Sequence, residues 1–429
     1  MAQYKQVKLS VLLVASTFST LSYGAGFAIQ EQSVTGLGRA FAGSAAVAED
    51  ASTIFFNPAG LTQLKHTEID FGIHYIKPKS DFSDDGSTVP NLGGGGFFGQ
   101  ALTGGGDDAG KEALVPNLYY AQPLNDKVVV GLGINAPFGL VTEYDDTWKG
   151  RYHAVKSDLM TININPTIAF KATDKLSFGF GLDLQYVDVE LTQMADLGGK
   201  VGFPQAADGS VKLTADDWSW GYNLGLTYQV HPATRLGLAY RSKISHTVNG
   251  DGKLKDASGA IVFDEKLKAR MTVPESLSFA VHHELNKQWS IMADATWTRW
   301  SRFQALIITS ENGNFDENKE EKWENSMRYG IGVDYKHNDK WTFRSGIAYD
   351  ESPVSDDYRT ARIPGNDRKW LSVGASYQLQ DNIIIDAGYT HLFVSNPKID
   401  ETDSNGYTLK GEYEASVDLL AVQVRWLFL

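Results

Sequence analysis

The feature that most constrains the fold of this chain is an alternation of apolar and polar residues with a period of two. Between residues 218 and 230, every even position holds Trp, Tyr, Leu or Val, and every odd position holds Ser, Gly, Asn, Thr or Gln. Residues 176–186 and 371–379 repeat this alternation. Because successive side chains of a β-strand point to opposite faces, each segment is predicted to be a strand with one apolar face and one polar face.

The apolar face of these strands is rich in aromatic residues near the strand ends. In a soluble sandwich, that face would pack a core of mostly aliphatic side chains. Aromatic rings at both ends of strands of about ten residues instead form the girdles of an outer-membrane barrel. The alternative is a secreted soluble β-protein. The residues assigned to the girdles are Trp218, Trp220, Tyr228, Trp341, Tyr349, Trp370, Tyr377, Trp426 and Phe428.

The connections between these strands predict the topology. Six short turns alternate with long stretches rich in Gly, Asp, Ser and Asn, as in outer-membrane barrels whose short turns lie in the periplasm. The six hairpins account for twelve strands, and one further strand near 66–77 and another near 415–428 open and close the series. We therefore predict an all-β fold, a fourteen-stranded antiparallel transmembrane barrel over residues 66–429. The long stretches lie near 79–112, 139–156, 191–216, 249–266, 311–322, 351–368 and 397–413.

Charge and composition exclude several classes of protein. The net charge is −13, from 39 Lys and Arg against 52 Asp and Glu, which excludes nucleic acid as an expected partner. Beyond the N-terminus there is no apolar run of 18 residues, so a helical transporter is excluded too. The absence of Cys agrees with passage through an oxidising compartment.

Residues 1–24 have the pattern of a secretory signal peptide. Lys5 and Lys8 precede an apolar stretch over residues 9–21, and Ser22-Tyr23-Gly24 supplies small residues before Ala25. We expect cleavage after Gly24 and export of the mature chain. An N-terminal anchor helix is the alternative.

Residues 25–65 lack the alternation and are predicted to form a hatch, a plug of short helices inside the barrel. A barrel of fourteen strands is wide enough to leave a lumen, which an unplugged protein would leave open. The small-residue stretch 36–44 has helical potential, and Asn57-Pro58-Ala59-Gly60 supplies a stop. The apolar residues Phe27, Ile29 and Phe41 need burial, which favours a plug over a periplasmic extension.

Several segments resemble one family of transport proteins. They are residues 25–27, 30–31, 36–40, 48–51 and 57–59 at the N-terminal end, and 300–304, 341–350, 352–354 and 363–368 further along. Together they resemble the FadL-type outer-membrane transporters of long-chain fatty acids and other hydrophobic compounds. The resemblance spans the mature chain. Its N-terminal and C-terminal motifs are specific to the family, whereas loops 79–112 and 191–216 are not.

This resemblance implies passive uptake of a long-chain fatty acid, with sideways release into the outer-membrane lipids through an inward kink in the third strand. In residues 128–140 that strand contains Gly131, Gly133 and Asn135, followed by Pro137. Glycine removes side-chain packing and proline removes a ladder donor, so this strand is expected to pair poorly and to open the wall there. The turn Asn57-Pro58-Ala59 is expected to act in gating by holding the hatch against this gap.

The resemblance also implies the ligand-binding residues. Lys319 matches a lysine that contacts bound ligand in the family, and Phe27 is expected to stack against the ligand. The loop around Lys319 is highly charged, which leaves a solvated loop lysine as the alternative. Gln193 stands where some relatives have a basic ligand residue, and the chain ends in Leu429 where such barrels usually end in Phe.

Because Gln193 is not basic, the uptake of aromatic or alkane hydrocarbons is an alternative function. We expect a monomeric protein that is not an enzyme. It should have no catalytic residues, no cofactor and no metal. An outer-membrane lipid hydrolase is the enzyme-class alternative, and it would lose activity on substitution of one Ser and one His.

Overall fold

The alternating segments form β-strands in the computed structural model, which describes residues 26–90 and 99–429. The predicted signal peptide lies outside the described residues. The strands are β1 Thr67–Asp84, β2 Ala113–Pro123, β3 Val128–Asn135, β4 Gly139–Glu143, β5 Lys156–Lys171, β6 Leu176–Asp196, β7 Asp208–His231, β8 Thr234–Arg241, β9 Ile244–Lys255, β10 Ile261–Val273, β11 Ser276–Glu284, β12 Trp289–Thr298, β13 Ala305–Ser310, β14 Glu317–Glu320, β15 Ser326–Lys336, β16 Trp341–Asp350, β17 Arg368–Gln380, β18 Ile383–Val394, β19 Lys398–Thr402 and β20 Thr408–Phe428.

These twenty segments make fourteen wall strands, because six wall strands are each interrupted once. The interrupted strands consist of β3 with β4, β8 with β9, β10 with β11, β12 with β13, β14 with β15, and β18 with β19. All pairings are antiparallel, and β1 pairs with β20 from Thr67 opposite Phe428 to Asp84 opposite Gly411, which closes the barrel. The prediction of a fourteen-stranded antiparallel barrel is confirmed. In the described part of the chain, no helix is long and apolar enough to cross a membrane.

The two faces of the wall follow the sequence alternation. Trp218, Trp220 and Trp426 are exposed on the outer face, as assigned. Trp370 is a correction, because it is 2% exposed and packs inside the barrel against Phe41. The exposed apolar residues of β17 occupy odd positions, so an even-numbered residue of that strand points into the lumen.

Inside the barrel, residues 26–65 fold as short helices that fill the lumen. They are α1 Val34–Leu37, α2 Ser44–Val47, α3 Thr53–Phe56 and a 3₁₀ helix, Pro58–Gln63. The other 3₁₀ helices, Gly199–Val201, Trp300–Arg302 and Asp356–Tyr358, belong to connections. Because the hatch helices are only one turn long, contacts with the wall rather than helix propensity hold them in place.

Charged side chains tie the hatch to the wall. Arg39 of the hatch lies 2.8 Å from Glu49 and 3.2 Å from Asp334 of β15. Glu49 in turn lies 3.0 Å from Arg344 of β16 and accepts through its carbonyl a 3.2 Å hydrogen bond from Arg425 of β20. Buried charges are tolerated only when they are paired, so this network fixes the position of the hatch among three wall strands.

Glycines in the wall allow the hatch backbone to approach closely. A side chain at Gly237 would overlap the carbonyl of Ala45, and one at Gly346 would overlap the backbone of Arg39. Gly131 and Gly133 of β3 face Ile54 of α3, at 2.6 and 3.1 Å from the position of an added Cβ. These lumen-facing glycines therefore provide room for the hatch.

We expect Gly237→Val to displace the hatch without unfolding the barrel, because valine suits a strand but collides with the backbone of Ala45. The variant should show a large rise in ion conductance in planar bilayers and retain heat-modifiable migration on gels. Gly105→Val, at a position with open space around it, is the matched control. Parental conductance in the Gly237→Val variant would contradict this account of the glycines.

Candidate functional site

An aromatic cage surrounds Phe27, which is 2% exposed. Its ring centroid lies 4.8 Å from that of Trp300, 5.6 Å from Trp323, 5.9 Å from Phe303 and 6.0 Å from Phe138. Contacts with Trp300, Phe303 and Phe138 are edge-to-face, the arrangement that aromatic quadrupoles favour. The predicted ligand residue Phe27 thus lies at one end of a buried apolar cluster. We call this cluster the chamber and its Phe27 end the floor.

The other aromatic residues of this cage lie at interruptions of the wall strands. Phe138 lies between β3 and β4, Trp300 and Phe303 lie between β12 and β13, and Trp323 lies between β14 and β15. Where a strand leaves the ladder, its residues can turn inward, which a regular strand allows only at alternate positions. Gly26 has φ +66° and lies against Trp300 and Trp323, so a side chain there would not fit.

Aliphatic side chains continue the chamber above the aromatic cage. They share one buried apolar cluster with Phe27, and a fully buried side chain of this kind is stabilised by about 1.5–3 kcal/mol. Such a surface can bind an alkyl chain by excluding water from it. The lining residues are Leu140, Leu159, Val187, Val248, Leu267, Met271, Val273, Ile308 and Val354.

Lys319 lies beside this chamber and is already paired. Its Nζ is 2.6 Å from Oε1 of Glu401, whose other carboxylate oxygen is 3.4 Å from Nδ1 of His153. Lys319 is opposite Leu306 in the β13–β14 ladder, and Leu306 packs against the apolar cluster. The structure places Lys319 at the chamber, with its charge neutralised by Glu401.

Arg362 is a second cation beside the chamber. It was not among the residues predicted from the sequence. Its Nη2 donates to Oε1 of Gln193 at 2.6 Å, and its Nη1 donates to Oγ of Ser157 at 3.0 Å. Among the described residues, no carboxylate forms an ion pair with Arg362, and the next residue, Ile363, packs against the apolar cluster. Arg362 precedes the motif at 363–368 in a long loop, and only the folded chain reveals that it reaches Gln193.

The third wall strand leaves the ladder later than predicted. Gly131 and Gly133 are paired on both sides, with β2 and with β5, and the β2–β3 ladder ends at Leu118 opposite Ile134. The break occupies residues 136–138, directly after Asn135. Glycine here accommodates the hatch rather than weakening the ladder, so the expectation that Gly131 to Asn135 pair poorly is wrong, and the ladder is interrupted only after Asn135.

The N-terminal segment, residues 27–32, forms hydrogen bonds with backbone groups at the interruption of the third wall strand. The amide of Ile29 donates to the carbonyl of Pro137, and that of Gly139 donates to the carbonyl of Phe27, both at 2.9 Å. Nε2 of Gln32 donates to the carbonyl of Ala136 at 2.7 Å. The segment that carries the chamber floor therefore closes the interruption from inside.

The turn Asn57-Pro58-Ala59 lies against other strands than expected. Nδ2 of Asn57 donates to the carbonyl of Leu226 in β7 at 3.0 Å and to that of Ala45 at 2.6 Å. The turn also packs on Gly179 of β6 and Gly225 of β7, where an added side chain would overlap it. This turn anchors the end of the hatch. Ile54 packs on Gly131 and Gly133 of β3, and Leu61 of the 3₁₀ helix shares a buried cluster with Val129 of β3.

A cavity of about 100 Å³ lies below the aromatic cage, between the hatch and the strand break. It is lined by Pro137 and Phe138 from the break, by Phe41 and Phe55 from the hatch, and by Arg241 of β8, among other residues. The cavity thus connects the region of the chamber floor with the interior side of the interruption.

Glu321, in the connection between β14 and β15, is a titratable group in direct contact with the cage. Its Oε2 accepts a 3.1 Å hydrogen bond from Nε1 of Trp323. Burial raises the pKa of Glu321 to about 8, the Trp323 bond and Lys319 lower it, and Glu401 raises it. Glu321 is therefore mainly protonated at neutral pH.

Known outer-membrane proteins are similar to this chain in sequence. Residues 15–428 match the family described as "Outer membrane protein transport protein (OMPP1/FadL/TodX)". The chain is 30% identical over 438 residues to the "Long-chain fatty acid transport protein" of Escherichia coli O6:H1, covering 95% of this chain and 96% of that protein. It is 32% identical to the "Outer membrane protein P1" of Haemophilus influenzae Rd, covering 86% of each.

Solved structures show the same architecture. The crystal structure of a Pseudomonas aeruginosa FadL homologue has a TM-score of 0.86 and 26% identity, covering 94% of this chain and all of that one (100%). The Pseudomonas putida toluene transporter TodX has a TM-score of 0.67 at 19% identity, covering 88% of this chain and 94% of that one. The second similarity concerns the fold alone.

Stability should fall as pH rises, because the folded chain holds a proton on Glu321 that the unfolded chain releases near pH 4.5. The loss accumulates from about pH 4.5 and levels off above about pH 8. We expect the unfolding midpoint, measured by gel heat-modifiability, to drop by a few degrees between pH 6 and pH 9. Glu321→Gln should remove much of this drop and Glu320→Gln, at an exposed neighbour, should not; equal curves for all three proteins would contradict the assignment.

Proposed function

Since this chain belongs to the outer membrane protein transport family (OMPP1/FadL/TodX), we propose that it carries long-chain fatty acids across the outer membrane without an energy source. The fatty acid enters the chamber from outside and leaves sideways into the bilayer. Membership of the family already makes the chain an outer-membrane transporter of fatty acids or other hydrophobic compounds.

One observation carries the proposal: the segment that floors the chamber is hydrogen-bonded to the break in the third wall strand. Phe27 contributes its ring to the cage and its carbonyl to the amide of Gly139. An acyl chain that displaces the Phe27 ring would also disturb the bonds to Pro137 and Gly139. This coupling supports a mechanism in which ligand binding loosens the contacts that close the interruption.

Arg362 is the group that we propose to bind the carboxylate. A guanidinium forms strong charge-assisted hydrogen bonds with a carboxylate, and the present acceptors on Arg362 are neutral. The positive charge of Lys319 is compensated by Glu401. Lys319 would therefore act mainly by offsetting the negative charge of Glu401. Gln193 stands where some relatives have a basic ligand residue. Arg362, a loop residue bonded to Gln193, supplies the positive charge instead.

A second candidate is the uptake of aromatic or alkane hydrocarbons. The aromatic cage around Phe27 favours it, because its rings can pack on any apolar molecule. It makes no use of Arg362. The two candidates therefore differ in whether the charge of the ligand matters.

Sideways release follows from the cost of wetting the ligand. Moving an acyl chain of about sixteen methylene groups into water costs about 13 kcal/mol, at roughly 0.8 kcal/mol each. An axial path into the periplasm meets this cost, whereas an opening beside residues 136–138 leads to lipid. The wall beyond Leu118 and Ile134, where β2 and the third wall strand are no longer paired, supports this route.

We expect Arg362→Gln to weaken oleate binding about 10- to 100-fold, because one charge-assisted contact contributes roughly 1.5–3 kcal/mol. Methyl oleate should bind equally to both proteins, since it has no carboxylate. The double variant Lys319→Gln/Glu401→Gln removes a neutral pair and should change oleate binding little. Fluorescence titration of the purified barrels measures all three.

Other outcomes of that titration decide between the alternatives. Equal losses for oleate and methyl oleate would assign Arg362 a structural role only. A larger loss in the double variant than in Arg362→Gln would return the carboxylate to Lys319. Tight binding of toluene or decane with weak binding of oleate would favour the hydrocarbon candidate.

Deletion of Pro137 should abolish uptake of labelled oleate while leaving its binding intact. Three residues, 136–138, now stand opposite only Thr161 and Ile162 of β5, so removing one allows a continuous ladder from β3 to β4. Pro137→Ala keeps the extra residue and is the matched control, expected to retain uptake. If the deletion variant folds and transports at the parental rate, release through this strand is wrong and an axial path past the hatch is favoured.

A further inference from the structure

The outer surface of β9, β10 and the chain between β12 and β13 carries a group of basic residues unrelated to the chamber. Lys268 and Arg270 of β10 are exposed and alternate with Leu267 and Met271, which point into the lumen. Lys243, between β8 and β9, is exposed as well. Within the described ranges, none of these three cations forms an ion pair.

Two arginines extend this group. Arg302 lies 2.8 Å and Arg299 3.2 Å from the same oxygen of Glu275, so two cations share one carboxylate and one positive charge remains uncompensated. Arg299 is 44% and Arg302 32% exposed at the side chain. We call Lys243, Lys268, Arg270, Arg299 and Arg302 the basic face.

The basic face borders an interruption in the wall. The ladder between β10 and β13 covers only Leu267 to Ala269, so Arg270 lies at its end. Glu275 lies in the interruption between β10 and β11 and Arg299 in the adjacent one between β12 and β13, and the amide of Arg299 donates to the carbonyl of Glu275 at 3.0 Å. The five cations thus surround one region of the outer surface rather than being scattered over the barrel.

The charge of this region contrasts with that of the whole chain. The chain has a net charge of −13, and the outward face of neighbouring β5, β6 and β7 carries Asp158, Asp188 and Asp216. On an acidic protein, a cluster of unpaired outward cations attracts an anionic partner over about one Debye length, near 10 Å.

The orientation of the barrel identifies the surroundings of the basic face. The short turns belong to the periplasmic rim, so the opposite ends of β9 and β10, which residues 256–260 join, extend toward the outside. The exposed rings of Trp218 and Trp220 on β7 mark the nearby membrane interface. The basic face therefore lies at the level of the headgroups of the outer leaflet.

We propose that the basic face binds the phosphate groups of a phosphorylated glycolipid of the outer leaflet. The lipid places its acyl chains on the apolar outer face below and its phosphates between Arg270, Lys268 and the Arg299–Arg302 pair. Guanidinium groups bind phosphate through paired hydrogen bonds, and lysine adds charge. Uptake of fatty acids does not require this site, so the two proposals stand or fall separately.

The test compares the parental barrel with the triple variant Lys243→Gln/Lys268→Gln/Arg270→Gln, both purified in detergent. Bisphosphorylated lipid A and its dephosphorylated form are the probes, and native mass spectrometry measures binding. We expect the triple variant to bind the phosphorylated lipid about tenfold more weakly or worse, and the dephosphorylated lipid to bind poorly to both proteins. Lys79→Gln/Lys410→Gln is the matched control, because these exposed lysines already have carboxylate partners.

Three results would overturn the proposal. They are unchanged binding in the triple variant, an equal loss in the control pair, and equal binding of the dephosphorylated lipid. Displacement of the lipid by excess inorganic phosphate, with no preference for the lipid, would show a simple anion site instead. Heat-modifiable migration of each variant shows that the barrel is folded, and parental oleate uptake shows that the chamber is intact.

Discussion

The hydrogen bonds between the N-terminal segment and the break in the third wall strand are the interaction on which the rest of the structure depends. Backbone groups facing lipid must be paired, because an unsatisfied group costs several kcal/mol there. At residues 136–138 β2 no longer provides the partners, and Ile29, Gln32 and the carbonyl of Phe27 bond to this stretch of the strand instead. The same segment carries the ring at the chamber floor, so the proposed ligand binding and the closure of the wall share one set of residues.

Much of the fold could be predicted from the sequence, because an alternation of period two and a sequence of short and long connections leave few topologies. The fourteen strands, the closed barrel and the outer-membrane location are confirmed, as is the resemblance to the FadL-type family. The error at Trp370 arose from counting aromatic residues without their parity, since its even position in β17 points inward.

The site was harder to predict than the fold, because it depends on residues brought together from distant loops. Phe27 lies in the cage and Lys319 beside the chamber, yet the partner of Lys319, Glu401, is 82 residues further along the chain. Arg362 reaches Gln193 across the barrel, and no local pattern marks it. Gly131 and Gly133 looked like weak points in a ladder, but the folded chain shows that they make room for Ile54. In each case the deciding contact is long-range.

The last strand also contacts the plug. Gln423 of β20 accepts a hydrogen bond from the amide of Val34 at 3.4 Å and donates one to Asp50 at 3.3 Å, and Arg425 binds the carbonyl of Glu49. The strand that seals the cylinder against β1 is therefore one of those that hold the plug. Closing the cylinder between β1 and β20 therefore also completes the contacts that Gln423 and Arg425 make with the plug, so the seam of the wall and the seat of its contents share one strand.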